Sequence, residues 1–530
     1  MYPFPGNERT QLAQLQSRSS LRRAAWNCGH RPTAVQASSS PPAMSAPPVR
    51  TLADLDGDVL AHCAGYLGAR DVASLSMCCR PLRAAAYCDA VWYRLFRDQW
   101  PFEKVPCDAL GIRELYIHRH TDIHQMKFGD PVSVLYYLDS AETTPSHLML
   151  DRNSIWFCQG PAAKKLNINW PETEMTENHR NHSARITCLR LFSLIDTPLF
   201  RSDTQKNEKA LVTSSTDRTI RLCWKGYSRC YKGHSAPVTA LADRLLIDGE
   251  SKVLASGGED CTIRLWSMST RAKNHPLIAT FHGHEKALSF LSVAWHKSSL
   301  LVSCSKDSKV KVWDTVAPSS GSSSCVGSTH LISNGPPIAM KCHEYLCYIA
   351  AGPEVTAIDL RTMKKASVLS LHNHRILSCE MLPSEWLICT GTKDKALLWD
   401  IRKAQELPNT VAEMQSNGPV TLLHLDPYKV VTGVLSDGEV HVWKTQTGDL
   451  LNTLGFGEPA GVRSTVSAMA VDGCRIAMAG RSPEGSVLHY RDFSTSSAPV
   501  SLPGKEKEVS RFWRPQQSED SEDDSEEEDY

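Results

Sequence analysis

The stretch Leu254-Ala-Ser-Gly-Gly-Glu-Asp-Cys-Thr-Ile-Arg-Leu-Trp266 decides how this chain is read. Apolar residues alternate along it with small or polar ones, the period-2 pattern of strands with one buried face. Gly258, Glu259 and Asp260 interrupt the alternation where a tight turn needs residues that tolerate unusual backbone angles or bond their own backbone. Two short strands around a hairpin are therefore predicted. The pattern recurs at 211–224, 301–314, 387–400 and 430–443. The turn aspartates Asp217, Asp260 and Asp307 stand 43 and 47 residues apart, and Asp394 and Asp437 stand 43 apart. A repeat of this length fits a four-stranded propeller blade and is too long for the shorter helical or leucine-rich units. The 87 residues from Asp307 to Asp394 hold one further unit, which keeps the strand pattern at 338–342, 345–351 and 355–358 but lacks both the Asp and the Trp.

Six units thus begin near Ile186, Val238, Leu288, Ile338, Ile376 and Val420. A last one runs from Val466 to Tyr490. Residues 131–170 hold four short β segments and read as a degenerate first blade, which makes eight. If they gave only one closing strand, the ring would have seven blades; eight is favoured. Closure of either ring removes the exposed sheet edges that invite aggregation. The Ser- and Gly-rich segment 317–328 reads as an excursion between blades. Residues 455–461 read as a turn, since they lack the spacing of a dinucleotide loop.

These repeats resemble the WD-repeat family. Gly233-His234 and Gly283-His284 stand four residues before a strand start, and His182 and His372 hold the same offset without the Gly. The resemblance implies that each His bonds the turn Asp of its blade, backed by a strand Ser or Thr and the Trp. His234–Asp260–Trp266 and His284–Asp307–Trp313 would be full sets, while His182–Asp217 and His372–Asp394 have a Trp displaced by one residue. Such His–Asp pairs look catalytic, but a closed network that satisfies buried polar groups and fixes the blade explains them better.

Charge and composition narrow the function classes. Fifty-eight basic residues balance fifty-eight acidic ones, and 41% of residues are hydrophobic, enough for a large core. No apolar run reaches membrane-spanning length. Eighteen cysteines without metal spacing read as small core residues in a reducing compartment, nucleus or cytoplasm. No nucleophile–base pair, phosphate loop or metal cluster stands outside the repeat pattern, so neither an enzyme, a cofactor nor a nucleic-acid partner is expected. Residues 1–50, with six Arg, one Glu and proline clusters, read as a disordered leader; transit-peptide composition and a start at Met44 are the other readings. Residues 501–530 read as a disordered tail ending in nine acids within 518–530.

Between leader and propeller the period changes to helical. Leu55, Val59, Leu60, Cys63 and Leu67 form one stripe, and Val72, Leu75, Cys79 and Leu82 a second. Trp92, Leu95, Phe96 and Trp100 form a third. Asp71 reads as an N-cap and Pro81 as a helix breaker. A bundle over 51–100 is near the size limit for stability alone and needs a neighbour. Residues 101–130 add a linker helix in which Ile112, Leu115, Tyr116 and the Arg119 stem share a face; His120 and His124 read as a solvated face rather than zinc ligands.

This segment resembles an F-box, through Leu55-Asp-Gly-Asp-Val-Leu60, Tyr66-Leu67 and Met77-Cys-Cys-Arg-Pro-Leu82. Asp56 stands where the family has Pro, and Leu82 where it has Trp. An F-box joined to WD repeats (residues 131–500) resembles the substrate receptors of Skp–cullin–F-box ubiquitin ligases. It implies an adaptor surface at Leu55, Asp58, Val59, Leu60, Tyr66, Leu67, Val72 and Leu75, which would bind a Skp-type adaptor and through it a cullin. The propeller would bind the protein substrate. Arg185, Arg218, Lys286, Lys306, Arg375, Lys393 and Arg463 fall on one set of loops and could hold a phosphorylated or acidic peptide in a shared cleft. Two other readings stand beside this one: a receptor for the cullin-4 adaptor, through the W-D-x-R box at Trp399–Arg402, and a scaffold unrelated to ubiquitin.

Overall fold

The computed structural model describes residues 55–100 and 111–494, with Leu52, except for 129, 139–142, 152–153, 170–171, 180–181, 194–208, 225, 248–250, 269–274, 317–324, 332–334, 371–374, 404–409, 437 and 457–463. The leader, the acidic tail, His372, Asp437, Arg463 and most of the 317–328 excursion lie outside the described residues.

Eight four-stranded antiparallel sheets form an eight-bladed propeller. Blades 1 to 7 occupy residues 145–179, 186–232, 238–281, 288–330, 337–370, 378–415 and 420–454, each strand pairing with the next in sequence. Blade 8 combines three late strands, 465–492, with an early one, Val132–Leu138, which pairs along Gly485–Asp492 from Val132↔Asp492 to Leu138↔Ser486. The count of eight holds, but the first blade is not 131–170. Val132–Leu138 closes the ring on blade 8, and the outer strand of blade 1 is Glu172–His179. Closure and a complete first blade therefore coexist. The late strand was hard to see because ETEMTENH has no apolar alternation.

The first strand of each blade lines the centre of the ring and packs beside the first strands of its neighbours. The connections then fall on two faces. An upper face carries the blade-to-blade loops and the turns between second and third strands. A lower face carries the turns between first and second and between third and fourth strands. Blades 2, 3 and 4 repeat one upper turn closely: the residue after each turn Asp, Arg218, Cys261 or Ser308, takes a left-handed backbone with φ 67, 63 or 59. Blade 7 puts Gly438 there instead, at φ 70, where no Cβ opposes it.

Among the described residues five helices precede the propeller: α1 (Gly57–Ala64), α2 (Ala69–Cys78), α3 (Arg80–Ala86), α4 (Asp89–Gln99) and α5 (Ile112–Phe128). Gly68, not Asp71, occupies the N-cap of α2; Asp71 sits in its first turn, where a carboxylate favours the helix dipole. Extended backbone at Cys79 and Pro81 in the first turn of α3 separate α2 from α3. The aromatic stripe of α4 is the bundle core: Trp92, Phe96 and Trp100 are buried, and Trp92 and Trp100 lie 5.3 and 5.1 Å from Tyr116 of α5. Each such ring removed from water contributes about 2–3 kcal/mol.

Helix α5 joins the bundle to the lower face of blades 7 and 8. Met126 is buried among Val431, Phe456, Ile476 and Phe493, and its carbonyl accepts a hydrogen bond from Asn452 Nδ2 at 2.9 Å. Arg119 lies over the Tyr428 ring at 4.6 Å. Bundle and propeller thus share a core, so the small bundle leans on its neighbour.

Candidate functional site

The His182, His234 and His284 sets form hydrogen-bonded networks within their blades. His234 Nδ1 lies 2.8 Å from Asp260, Ser256 Oγ lies 2.8 Å from His234 Nε2, and Trp266 Nε1 donates to the same Ser256 Oγ at 2.8 Å. Blade 4 repeats this with His284, Asp307, Ser303 and Trp313 at 3.0, 2.7 and 2.8 Å. An ionised carboxylate can only accept, so Nδ1 carries the proton and Nε2 receives the Ser hydroxyl. Burial holds His182, His234 and His284 below the ordinary imidazole value, against the pull of their aspartates. Burial alone would raise the Asp217 carboxyl, but hydrogen bonds from Thr219, His182 and backbone amides bring it down to about 2. Both ring nitrogens of His182, His234 and His284 are engaged in these networks.

The displaced Trp residues resolve differently. In blade 2 the register position of the Trp is taken by Cys223, and His182 Nε2 lies 2.9 Å from Thr213 Oγ1. In blade 6 the hairpin is one residue shorter, so Trp399 still donates to Thr390 at 2.9 Å. Trp443 does the same to Thr432 at 2.8 Å in blade 7. Asp400 of the W-D-x-R box accepts two hydrogen bonds from the Arg402 guanidinium, at 3.0 and 2.8 Å, and one from its backbone N–H at 3.0 Å, on the lower face.

The described basic residues of the upper face fall in twos on alternate blades. Arg185 and Arg218 flank the blade 2 turn, where Thr216 N bonds the Arg185 carbonyl at 3.0 Å. Lys286 and Lys306 flank the blade 4 turn, with Ser305 Oγ on the Lys286 carbonyl at 2.7 Å. Arg375 and Lys393 stand beside one another at the top of blade 6, where Leu377 N bonds the Gly391 carbonyl at 2.8 Å. All six are exposed and have no ion-pair partner among the described residues. Blade 3 separates the first two pairs with Glu259, and blade 5 the next two with Gly352-Pro353. Towards the centre, Arg185 and Arg190 add their charge to burial in lowering the pKa of His147 on the first strand of blade 1.

The predicted adaptor residues divide by burial. Leu55, Asp58, Val59 and Tyr66 are exposed, Tyr66 at 77%. Tyr66 stands edge-on to His62, with ring centroids 5.3 Å apart. Leu67 and Leu75 are half-buried at the bundle core. Leu60 and Val72 are 2% and 0% exposed, so they hold the bundle together and offer no surface. A helical stripe marks which residues share a face but not which of them a third helix covers. Met77, 68% exposed on α2, is an apolar surface residue absent from the predicted set. Leu82, standing in place of an expected Trp, packs with Leu60 and Ala85.

Comparison with known proteins agrees with this architecture at the level of the repeat. The WD domain, G-beta repeat family matches residues 226–267 and 275–314. Each match begins near the outer strand of one blade and ends on the third strand of the next, so the sequence repeat and the blade are offset by one strand. The chain is 24% identical over 279 residues to a ribosome biogenesis protein WDR12 homolog of Oryza sativa, covering 44% of this chain and 59% of that protein. It is 28% identical over 152 residues to the nuclear distribution protein nudF of Aspergillus niger, covering 28% of this chain and 30% of that one. Over 70 residues it is 36% identical to the F-box/WD repeat-containing protein sel-10 of Caenorhabditis elegans, covering 13% and 11%. The chain thus spans less than two thirds of each of these relatives. Among solved structures, the computationally designed Ika8 protein aligns with a TM-score of 0.50 at 19% identity, over 67% of this chain and 98% of that one, which is a likeness of fold alone.

Proposed function

We propose that this chain is a non-catalytic, two-headed protein receptor: the propeller holds one protein while the helical bundle offers a second surface to another. The observation that carries the reading is the shared core at α5, which fixes a bundle with exposed Val59, Tyr66 and Met77 to the lower face of a closed ring. A simple scaffold needs no more than this, and the ribosome-biogenesis and nuclear-distribution relatives speak for that coarser reading.

The finer reading is a substrate receptor of a Skp–cullin–F-box ubiquitin ligase. It is supported by the exposed apolar face of α1 and α2 and by the sel-10 likeness. In it, the bundle docks a Skp-type adaptor, and the upper-face pairs at Arg185/Arg218, Lys286/Lys306 and Arg375/Lys393 receive an acidic or phosphorylated peptide. Three separated pairs favour a substrate with several acidic groups spread along it over one with a single phosphate.

Capture of purified Skp-type adaptor by the full chain tests the finer reading. Val59→Asp with Tyr66→Asp is expected to weaken capture at least about tenfold at unchanged melting temperature, since each places a charge in an apolar contact. If the unsubstituted chain captures no adaptor while its propeller still binds proteins, the scaffold reading stands in its place.

A further inference from the structure

Blades 5, 6 and 7 each put an aromatic residue on the lower face immediately before their second strand: Tyr345, Trp386 and Tyr428. The fold itself shows how such a residue is covered. Tyr428 is 2% exposed beneath α5, with the Arg119 guanidinium 4.6 Å from its ring centre. Tyr345 carries the Arg361 guanidinium at 4.4 Å. Trp386 has no cation over its ring among the described residues, and it is 42% exposed. It also takes a left-handed backbone, φ 61, a conformation that a bulky residue adopts at a cost and that marks sites of function. The strip continues onto blade 4, where Trp295 is 63% exposed and lies 5.8 Å from the His343 ring. His296 in turn lies 5.0 Å from Tyr345.

We propose that this strip is the docking site for Arg511-Phe-Trp-Arg514 of the same chain, with a guanidinium of that segment stacked on Trp386 as Arg119 is on Tyr428. Two observations select this occupant. Its chemistry matches: beyond Ser494, Phe512 and Trp513 are the one adjacent aromatic pair, and an Arg flanks them on each side. Its origin matches too. The chain leaves the propeller on the lower face at Ser494, whose carbonyl accepts from Gln125 Nε2 of α5 at 3.2 Å, beside the helix that covers Tyr428. The sixteen intervening residues reach up to about 53–58 Å when extended. Sheets packed face to face lie about 10 Å apart, so blade 6, two blades from blade 8, is within range. Docking there holds the acidic end, 518–530, on the lower side of the ring, away from the basic pairs.

Photo-crosslinking of the full chain tests this. Phe512→benzoylphenylalanine at low micromolar concentration is expected to give intrachain cross-links to 383–386 or 343–345. Cross-links to the upper face, cross-links solely between two copies, or none at all would each overturn the proposal. Trypsin cleavage after Arg511 gives an independent reading: it is expected to be about fivefold faster in Trp386→Ala than in the unsubstituted chain at equal melting temperature, the scale of one desolvated cation–π contact. Equal cleavage rates would also overturn it.

Discussion

At the scale of the residue, Ser256 and Ser303 are the pivots of their blades. Each hydroxyl joins a His to a Trp, so Ser256→Ala leaves a buried imidazole nitrogen and a buried indole N–H without partners. A loss of about 2–3 kcal/mol is expected from urea unfolding, since an unsatisfied buried group costs about 1–3. Ser303→Ala is expected to match it, and a loss below about 0.5 kcal/mol would show that the network is not what holds the blade. The same groups set the acid stability. His182, His234 and His284 stay neutral when folded but take up protons near 6.5 when unfolded. The unfolded chain therefore binds more protons, and stability falls as pH drops through that value. Asp217, lowered from 3.8 to about 2, extends the loss through that lower range. Urea midpoints at pH 7.5 and 5.5 check the imidazole part, and a midpoint that rises on acidification would refute it. These networks were legible in the sequence because the repeat fixes their spacing. Their Ser and Thr members were not tied to numbered positions, since a small polar strand residue is ordinary until a His and a Trp converge on it.

At the scale of the element, α5 decides how the two halves are coupled. Beneath it Lys429 is fully buried and bonded to Asp426 and to Tyr428 Oη, while His424 lies 3.1 Å from Asp426. Burial would lower the Lys429 pKa, but Asp426 more than restores it, so the pair is charged. Lys429→Met is expected to cost up to about 3 kcal/mol, because it takes the buried ammonium from a half-buried carboxylate that keeps His424 beside it. Adding Asp426→Leu is expected to recover most of that loss in thermal unfolding, since an apolar pair of similar volume replaces a buried ion pair at little cost. Arg119→Ala tests the other side of the junction: faster amide exchange along α5 with little change in the blades is expected, from loss of a contact worth about 1–2 kcal/mol. The sequence placed Tyr116 and the Arg119 stem on one face of a helix. It gave no sign that the partner face was Tyr428, some three hundred residues on, because helical periodicity says which side is buried and not against what.

At the scale of the whole molecule, the ring closes by borrowing Val132–Leu138 for blade 8, so the N-terminal strand staples the last blade to the first. Replacing Val134 and Tyr136 by proline is expected to abolish cooperative unfolding of blade 8 first, seen as early amide exchange at 475–492, because proline removes ladder hydrogen bonds and leaves an open sheet edge. What the chain determined by itself is everything local or periodic: the blade length, the hairpins, the His–Asp pairs and the helical stripes, each written within some fifty residues. What only the tertiary structure decided is which surfaces survive assembly. Leu60 and Val72 went inside, the basic residues parted into pairs on alternate blades, and Tyr345, Trp386 and Tyr428 lined up on one face with a helix over just one of them. Burial and neighbourhood are properties of contacts between distant segments, and a one-dimensional pattern carries no record of which distant segment closes over which.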